Sequence, residues 1–192
     1  MPIVPDDKNW TWVLERPCPE CGFDGRAFDP ANARSAIEAN SARWRQLLQH
    51  PQAAVRPDDS TWSAVEYACH VRDVFRLYLS RLEMMLRETG PTFPNWDQDE
   101  TAIKQQYHRQ NPVDVAGELH AAAGMLAARY ATVYGDQWQR TGFRSDGAAF
   151  TIDSFTRYMV HDPVHHVHDV EVGYARMAPP SAWGPPTGTP VA

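Results

Sequence analysis

A chain of 192 residues makes one domain, or one domain with an appendage. Its 18 basic and 24 acidic residues leave a net charge of -6, so there is no global electrostatic reason to coat nucleic acid or an anionic membrane. A hydrophobic content of 43% excludes global disorder, no apolar run approaches the ~18 residues of a membrane helix, the first ten residues lack a signal-peptide pattern, and three Cys are too few for a disulfide framework. A cytoplasmic protein with no nucleic-acid or membrane partner is expected.

Residues 1–30 are Pro-rich, carry Cys18 and Cys21, and show no sustained helical period, which predicts an irregular N-terminal arm. Residues 31–177 hold four long helical segments. The first is predicted from about Ala31 to Gln49, with Asp29 before Pro30 as N-cap and first helical position. The second runs from about Ser63 to Glu88, where Ser63 and Glu66 form a capping box and Gly90-Pro91 stops the helix. On its wheel Arg72, Arg76, Ser80, Glu83 and Arg87 share a solvent face. A long connection follows, with a short helix expected between Asp97 and His108. The third helix spans about Val113 to Tyr134. A small hairpin turning at Ser145-Asp146-Gly147 leads into the fourth, about Ile152 to Arg176. Residues 178–192 read as a Pro/Gly-rich mobile tail. Four segments of ~30–38 Å, at 1.5 Å per residue, argue for an all-α four-helix bundle.

Four of the eight His fall between His161 and His168, inside the fourth helix. At 100° per residue, His161, His165 and His168 share one face with Tyr158, while His166 points about 100° away and reads as packing. The i, i+4 pair His161 and His165 has the spacing by which two imidazoles reach one ion; the alternative is a solvated face. Pro163 lies between them. The apolar pattern resumes after it, which favours a kinked, continuous helix over a break. On the second helix Glu66, His70 and Asp73 form a second polar stripe, read either as a surface pairing or as a third ligand with flanking acceptors. Together His70, His161 and His165 make a three-His site with open positions, and Zn²⁺ or Ni²⁺ suits such neutral nitrogen donors. Asp162 and Asp169 join Glu66 and Asp73 as carboxylates that would orient the ligands, and Tyr158 and His168 are candidates for touching substrate. Cys18-Pro19-Glu20-Cys21-Gly22 has the form of a zinc knuckle. Three readings stand for it: free thiols packing the arm, a local disulfide or redox pair, or half of a second metal site completed by His or by another chain.

At these residues the sequence resembles the DinB-like superfamily. The match rests on Trp62-Ser63, Glu66, His70 and Asp73, followed by His161-Asp162 and His165-His166. The actinobacterial branch also shares the CPECGFD opening, the NWDQDE stretch and the RSDG turn. Many members have Arg-Gly-Gln after the paired His, whereas Val167-His168-Asp169 follows here. The resemblance implies a four-helix bundle, a homodimer, and a divalent metal on His70, His161 and His165. Bacillithiol S-transferases and mycothiol-dependent maleylpyruvate isomerase belong to it, which implies a transferase activating mycothiol or another low-molecular-weight thiol toward an electrophile. The alternative is a non-catalytic metal-binding or stress-response module.

Overall fold

Asp29 and Ser63 cap the segments that the sequence assigns to them. The computed structural model describes residues 10–177. The first nine residues of the arm and the expected tail, 178–192, lie outside the described residues. Asp29 accepts from the Ala31 amide at 3.0 Å and opens a 3₁₀ turn, Pro30–Asn32, so the first α-helix, α1 (Ala33–Leu47), begins two residues later than the cap alone suggests. Ser63 and Glu66 close their capping box at the start of α2 (Ala64–Arg87). The crossover contains the short helix α3 (Gln98–Lys104), capped by Asp97. Asn111 caps α4 (Pro112–Tyr130), with Pro at its first position. This helix ends four residues before the expected Tyr134. The Thr132 hydroxyl folds back to donate to the Arg129 carbonyl at 2.8 Å, and a separate 3₁₀ turn, Gly135–Gln139, follows.

Strands β1 (Thr141–Phe143) and β2 (Ala149–Thr151) form the expected antiparallel hairpin, with Gly142 opposite Phe150. Gly147 at its tip adopts φ +91°, a left-handed conformation that suits glycine. Arg144 and Asp146 pair across the turn. The hairpin delivers the chain to α5 (Ile152–Met177), which runs through Pro163 without a break.

The bundle is built from α1, α2, α4 and α5. Helix α4 packs on both α1 and α2, and α5 closes over α1 and α2 from the other side. Trp44, Phe75, Leu82, Met85, Leu119, Leu126, Phe155 and Met159 are fully buried between them. The arm is irregular but not detached. Val13 is completely buried, and Arg157 of α5 donates to the backbone carbonyls of Gly25, Arg26 and Phe28. The arm is thereby tied along the flank of α5, beside the histidines.

The expected solvent stripe of α2 differs at one place. Arg72 is 2% exposed, because the crossover folds over it. Its guanidinium pairs with Asp73 and Glu118 and donates to Gln105 and Gln110. Asp73 also accepts from Tyr107 Oη at 2.6 Å. A buried charge network of this kind is costly to break from one side, since the partner is left without compensation. Replacing Arg72 with Ala is expected to lower the unfolding free energy by about 3–5 kcal/mol in urea titrations. The same change at Arg34, whose pair with Glu38 is exposed, should stay within about 0.5 kcal/mol.

Candidate metal centre

Helix α5 presents two donor pairs at i, i+4 spacing, offset by one residue and so by about 100°. His161 and His165 turn toward the arm. There they meet Cys18 and Cys21, and the ligating atoms of all four lie within 4.8 Å of one another. Asp162 and His166 turn toward α2, where they group with His70 within the same limit of 4.8 Å. His70 Nε2 is 3.5 Å from Asp162 Oδ1, and His166 Nε2 is 3.8 Å from that oxygen. The His70 and His166 rings stand at 87° with centroids 4.9 Å apart. A further grouping of Glu20, His165 and Asp169 overlaps the first.

The set of His70, Asp162 and His166 fits a divalent cation on three grounds. Buried polar atoms nearly always find partners, and one without costs about 1–3 kcal/mol. Yet both ring nitrogens of His70 and Oδ1 of Asp162 have no hydrogen-bond partner. Second, separations of 3.5 and 3.8 Å are too long for good hydrogen bonds. They approach the roughly 3.0–3.4 Å edges spanned by N and O ligands about 2.1 Å from one ion. Third, His166 Nδ1 lies 2.9 Å from Asp169 Oδ2. A carboxylate there fixes the ring proton on Nδ1 and turns Nε2 toward the ion, as in carboxylate–histidine–metal arrangements.

Electrostatics agree. Burial pushes Asp162 upward, but the charges of His70 and His166 outweigh it and hold the carboxyl at about 2. Burial likewise raises Asp169, and the hydrogen bond from His166 together with the charges of His166, His165 and His168 more than offsets it, leaving the group below its ordinary value. Burial and the neighbouring His165 bring His161 down to about 4, and burial lowers His165 too. Both therefore keep a free lone pair at neutral pH.

Asp162 and His166 form part of the wall of a pocket of about 600 Å³. His70 does not line it; its ring stacks on Trp96, which does, at 5.5 Å and 22°. Arg81, Arg144 and Tyr158 line the same pocket. Arg81 is 8% exposed. It lies against the rings of Tyr78 and Phe93, donates to the Pro94 carbonyl at 3.2 Å, and has a buried Nε without a partner. Among the described residues no carboxylate pairs with it. Arg144 is held by Asp146 and donates to Tyr158 Oη at 3.3 Å.

The structure thus separates residues that the sequence grouped. Of the three imidazoles expected to share one ion, His161 and His165 lie together with the cysteines, and His70 lies with Asp162 and His166. Glu66 is taken up by Arg56 and by the Ser63 cap. Asp73 is taken up by Arg72, Arg76 and Tyr107. Neither accepts from His70. Asp169 does orient a ring, that of His166. His168 is half-buried, 6.4 Å from the His165 ring, and does not line the pocket. Cys69 is buried, which raises its thiol to about 12 and keeps it protonated. Two residues lie outside the sequence expectation. His166, expected to pack, forms with Asp162 an i, i+4 pair as regular as that of His161 and His165. Arg81 is buried on the same face of α2 as Val74, Tyr78 and Met85, and a charged residue among those apolar positions is the signal that the sequence offers.

No curated protein matches the chain. Among solved structures, YfiT from Bacillus subtilis superposes with a TM-score of 0.70 at 18% identity, over 77% of this chain and 87% of that one. That protein is described as a probable metal-dependent hydrolase with an unusual four-helix bundle topology. At this identity the likeness establishes the fold. The family described as the DinB superfamily matches residues 36–170, most of the chain, and the chain belongs to it.

Proposed function

We propose that this chain is a metal-dependent enzyme that activates a low-molecular-weight thiol, with the divalent ion held by His70, Asp162 and His166. The observation that carries the reading is the set of buried atoms without a hydrogen-bond partner, both ring nitrogens of His70 and Oδ1 of Asp162, beside a pocket large enough for a small molecule. A divalent ion in that position lowers the pKa of a thiol or water entering its coordination sphere, so that thiolate or hydroxide is available near neutral pH. The remaining work falls to this chain's own side chains. Asp169 holds the His166 proton on Nδ1. Arg81 and Arg144 are the guanidinium groups of the pocket wall, and of the two only Arg81 lacks a carboxylate. Arg81 therefore offers a carboxylate or another anionic group of a substrate one charge-assisted contact. Trp62 and Trp96 line the pocket, present apolar faces there and limit the water around the reacting group. The Tyr158 phenol, raised by burial, stays protonated and able to donate.

Hydrolysis by the same centre is the second reading, and the description of YfiT favours it. It differs in the nucleophile, water in place of a thiol.

Titration of metal-stripped protein with Ni²⁺ tests the ligand set. Single replacements of His70, Asp162 or His166 by Ala should weaken binding by two orders of magnitude or more. Asp169→Asn should weaken it by about 10–100-fold. Glu66→Gln, away from the donors, should leave it unchanged. If His70→Ala and Asp162→Ala bind as tightly as wild type, this ligand set is wrong.

The reaction is tested by supplying metal-loaded protein with mycothiol, bacillithiol or glutathione and an anionic electrophile. Turnover should require both the thiol and the metal and vanish in His70→Ala. Arg81→Met should raise KM for an anionic electrophile by about 10–100-fold, the loss of one charge-assisted contact, with a smaller effect on an uncharged analogue. Thiol-independent ester or amide cleavage, lost in the same His70 variant, would instead identify a hydrolase.

A further inference from the structure

We propose that Cys18, Cys21, His161 and His165 form a second metal site, a structural zinc that clamps the N-terminal arm onto α5. Two thiolates and two imidazoles are a complete tetrahedral zinc set, leaving no position for substrate. Their ligating atoms converge within 4.8 Å. Cys18 Sγ lies 3.6 Å from His165 Nδ1. That matches the roughly 3.6 Å tetrahedral edge expected for a Zn–S bond of about 2.3 Å and a Zn–N bond of about 2.0–2.1 Å. His161 Nε2 is buried with no hydrogen-bond partner.

The local fold is shaped for this. The Cys18 amide donates to the Phe23 carbonyl at 2.8 Å, and the Gly22 amide to the Cys18 carbonyl at 2.9 Å, closing a tight loop that carries both thiols. Gly22 takes φ +75°, a conformation that L side chains rarely adopt, directly after Cys21. Aromatic rings cover the imidazoles. Trp10 lies 5.5 Å from His161 and 5.0 Å from His165, and Phe23 lies 5.9 Å from His161. The remaining nitrogen of His165, Nε2, faces the carboxylates of Glu20 at 3.6 Å and Asp169 at 3.7 Å, which gives that side of the ring an acidic environment. A Cys18–Cys21 disulfide explains less, because it leaves the buried His161 nitrogen without a partner.

The site joins positions 147 residues apart in sequence, so an ion there couples arm docking to folding. Its His161 and His165 line the same pocket, but none of its donors belongs to the set of His70, Asp162 and His166, so the two ligand sets can be tested separately.

Cobalt(II) separates the two, because only a site with thiolates gives sulfur-to-cobalt charge-transfer absorption. Reduced, tag-free, full-length protein loaded with Co²⁺ is expected to show that band, saturating at one equivalent. The band should be lost in Cys18→Ala and Cys21→Ala and retained in Asp162→Ala. On unmutated zinc-loaded protein, titration with a mercurial thiol reagent should release one zinc per chain, which tests the site even where a variant fails to fold. The proposal is overturned if reduced wild-type protein shows no thiolate–cobalt band. It is equally overturned if the band survives replacement of both His161 and His165 by Ala, or if thiol modification releases no zinc. Loss of the band with unchanged Ni²⁺ binding at His70 would leave the pocket reading standing.

Discussion

The rotational register of α5 is the constraint on which both donor clusters depend. His161 and Asp162 are adjacent, as are His165 and His166, so one residue of slip turns each pair by about 100° onto the other's neighbour. The register is fixed from three sides. Ile152, Phe155 and Met159 bury one stripe in the core. Asn40 of α1 donates to the Pro163 carbonyl at 2.8 Å, and Tyr174 donates to the Leu47 carbonyl at 2.8 Å, pinning the middle and the end of α5 to α1. Arg157 fixes the third side by gathering the carbonyls of the arm. Pro163 belongs to this scheme. It removes one backbone donor from the helix, at the place where a side chain from α1 reaches its own carbonyl.

The helices were legible because their information is local. A capping box at Ser63, Asn-Pro at Asn111 and Asp-Pro at Asp29 each act within one turn of chain. The errors arose where a distant segment decides. Arg72 lies at a solvent position on the wheel of α2, and only the crossover, arriving through Gln105, Gln110 and Tyr107, converts it into a buried hub. Glu66 and Asp73 had the spacing to orient His70, but Arg56 and Tyr107 offered them stronger partners that no i, i+4 rule contains.

The donor clusters show the same division between local and distant information. Spacing identifies an i, i+4 pair, and α5 has two of them interleaved. Which pair faces α2 depends on where the arm folds, and the arm has no period from which its path can be read. His70 was recoverable because it interrupts an amphipathic helix. His166 was not, because its significance lies in Asp162 beside it on the wheel and in Asp169 behind it, a pattern that acquires meaning only once α2 is in place. The CxxC motif is the converse case. Its two thiols are plain in the sequence, which leaves three uses open for them, and the residues that face them are missing from any local window.

Asp169 joins the two clusters physically. One of its oxygens accepts from His166 at 2.9 Å and the other lies 3.7 Å from His165 Nε2, so a single carboxylate faces the outer nitrogens of imidazoles in both. Charge placed on either ring is therefore felt at the other through a short, largely buried path of low effective dielectric. The same arithmetic governs the pocket. Glu20, Asp97, Asp99, Asp162 and Asp169 line it together with Arg81 and Arg144, and Asp146 already neutralises Arg144. With five carboxylates against one uncompensated guanidinium, the wall formed by protein alone disfavours an anion. A dication beside Asp162 reduces that negative excess, so an anionic substrate and the metal would reinforce each other's binding.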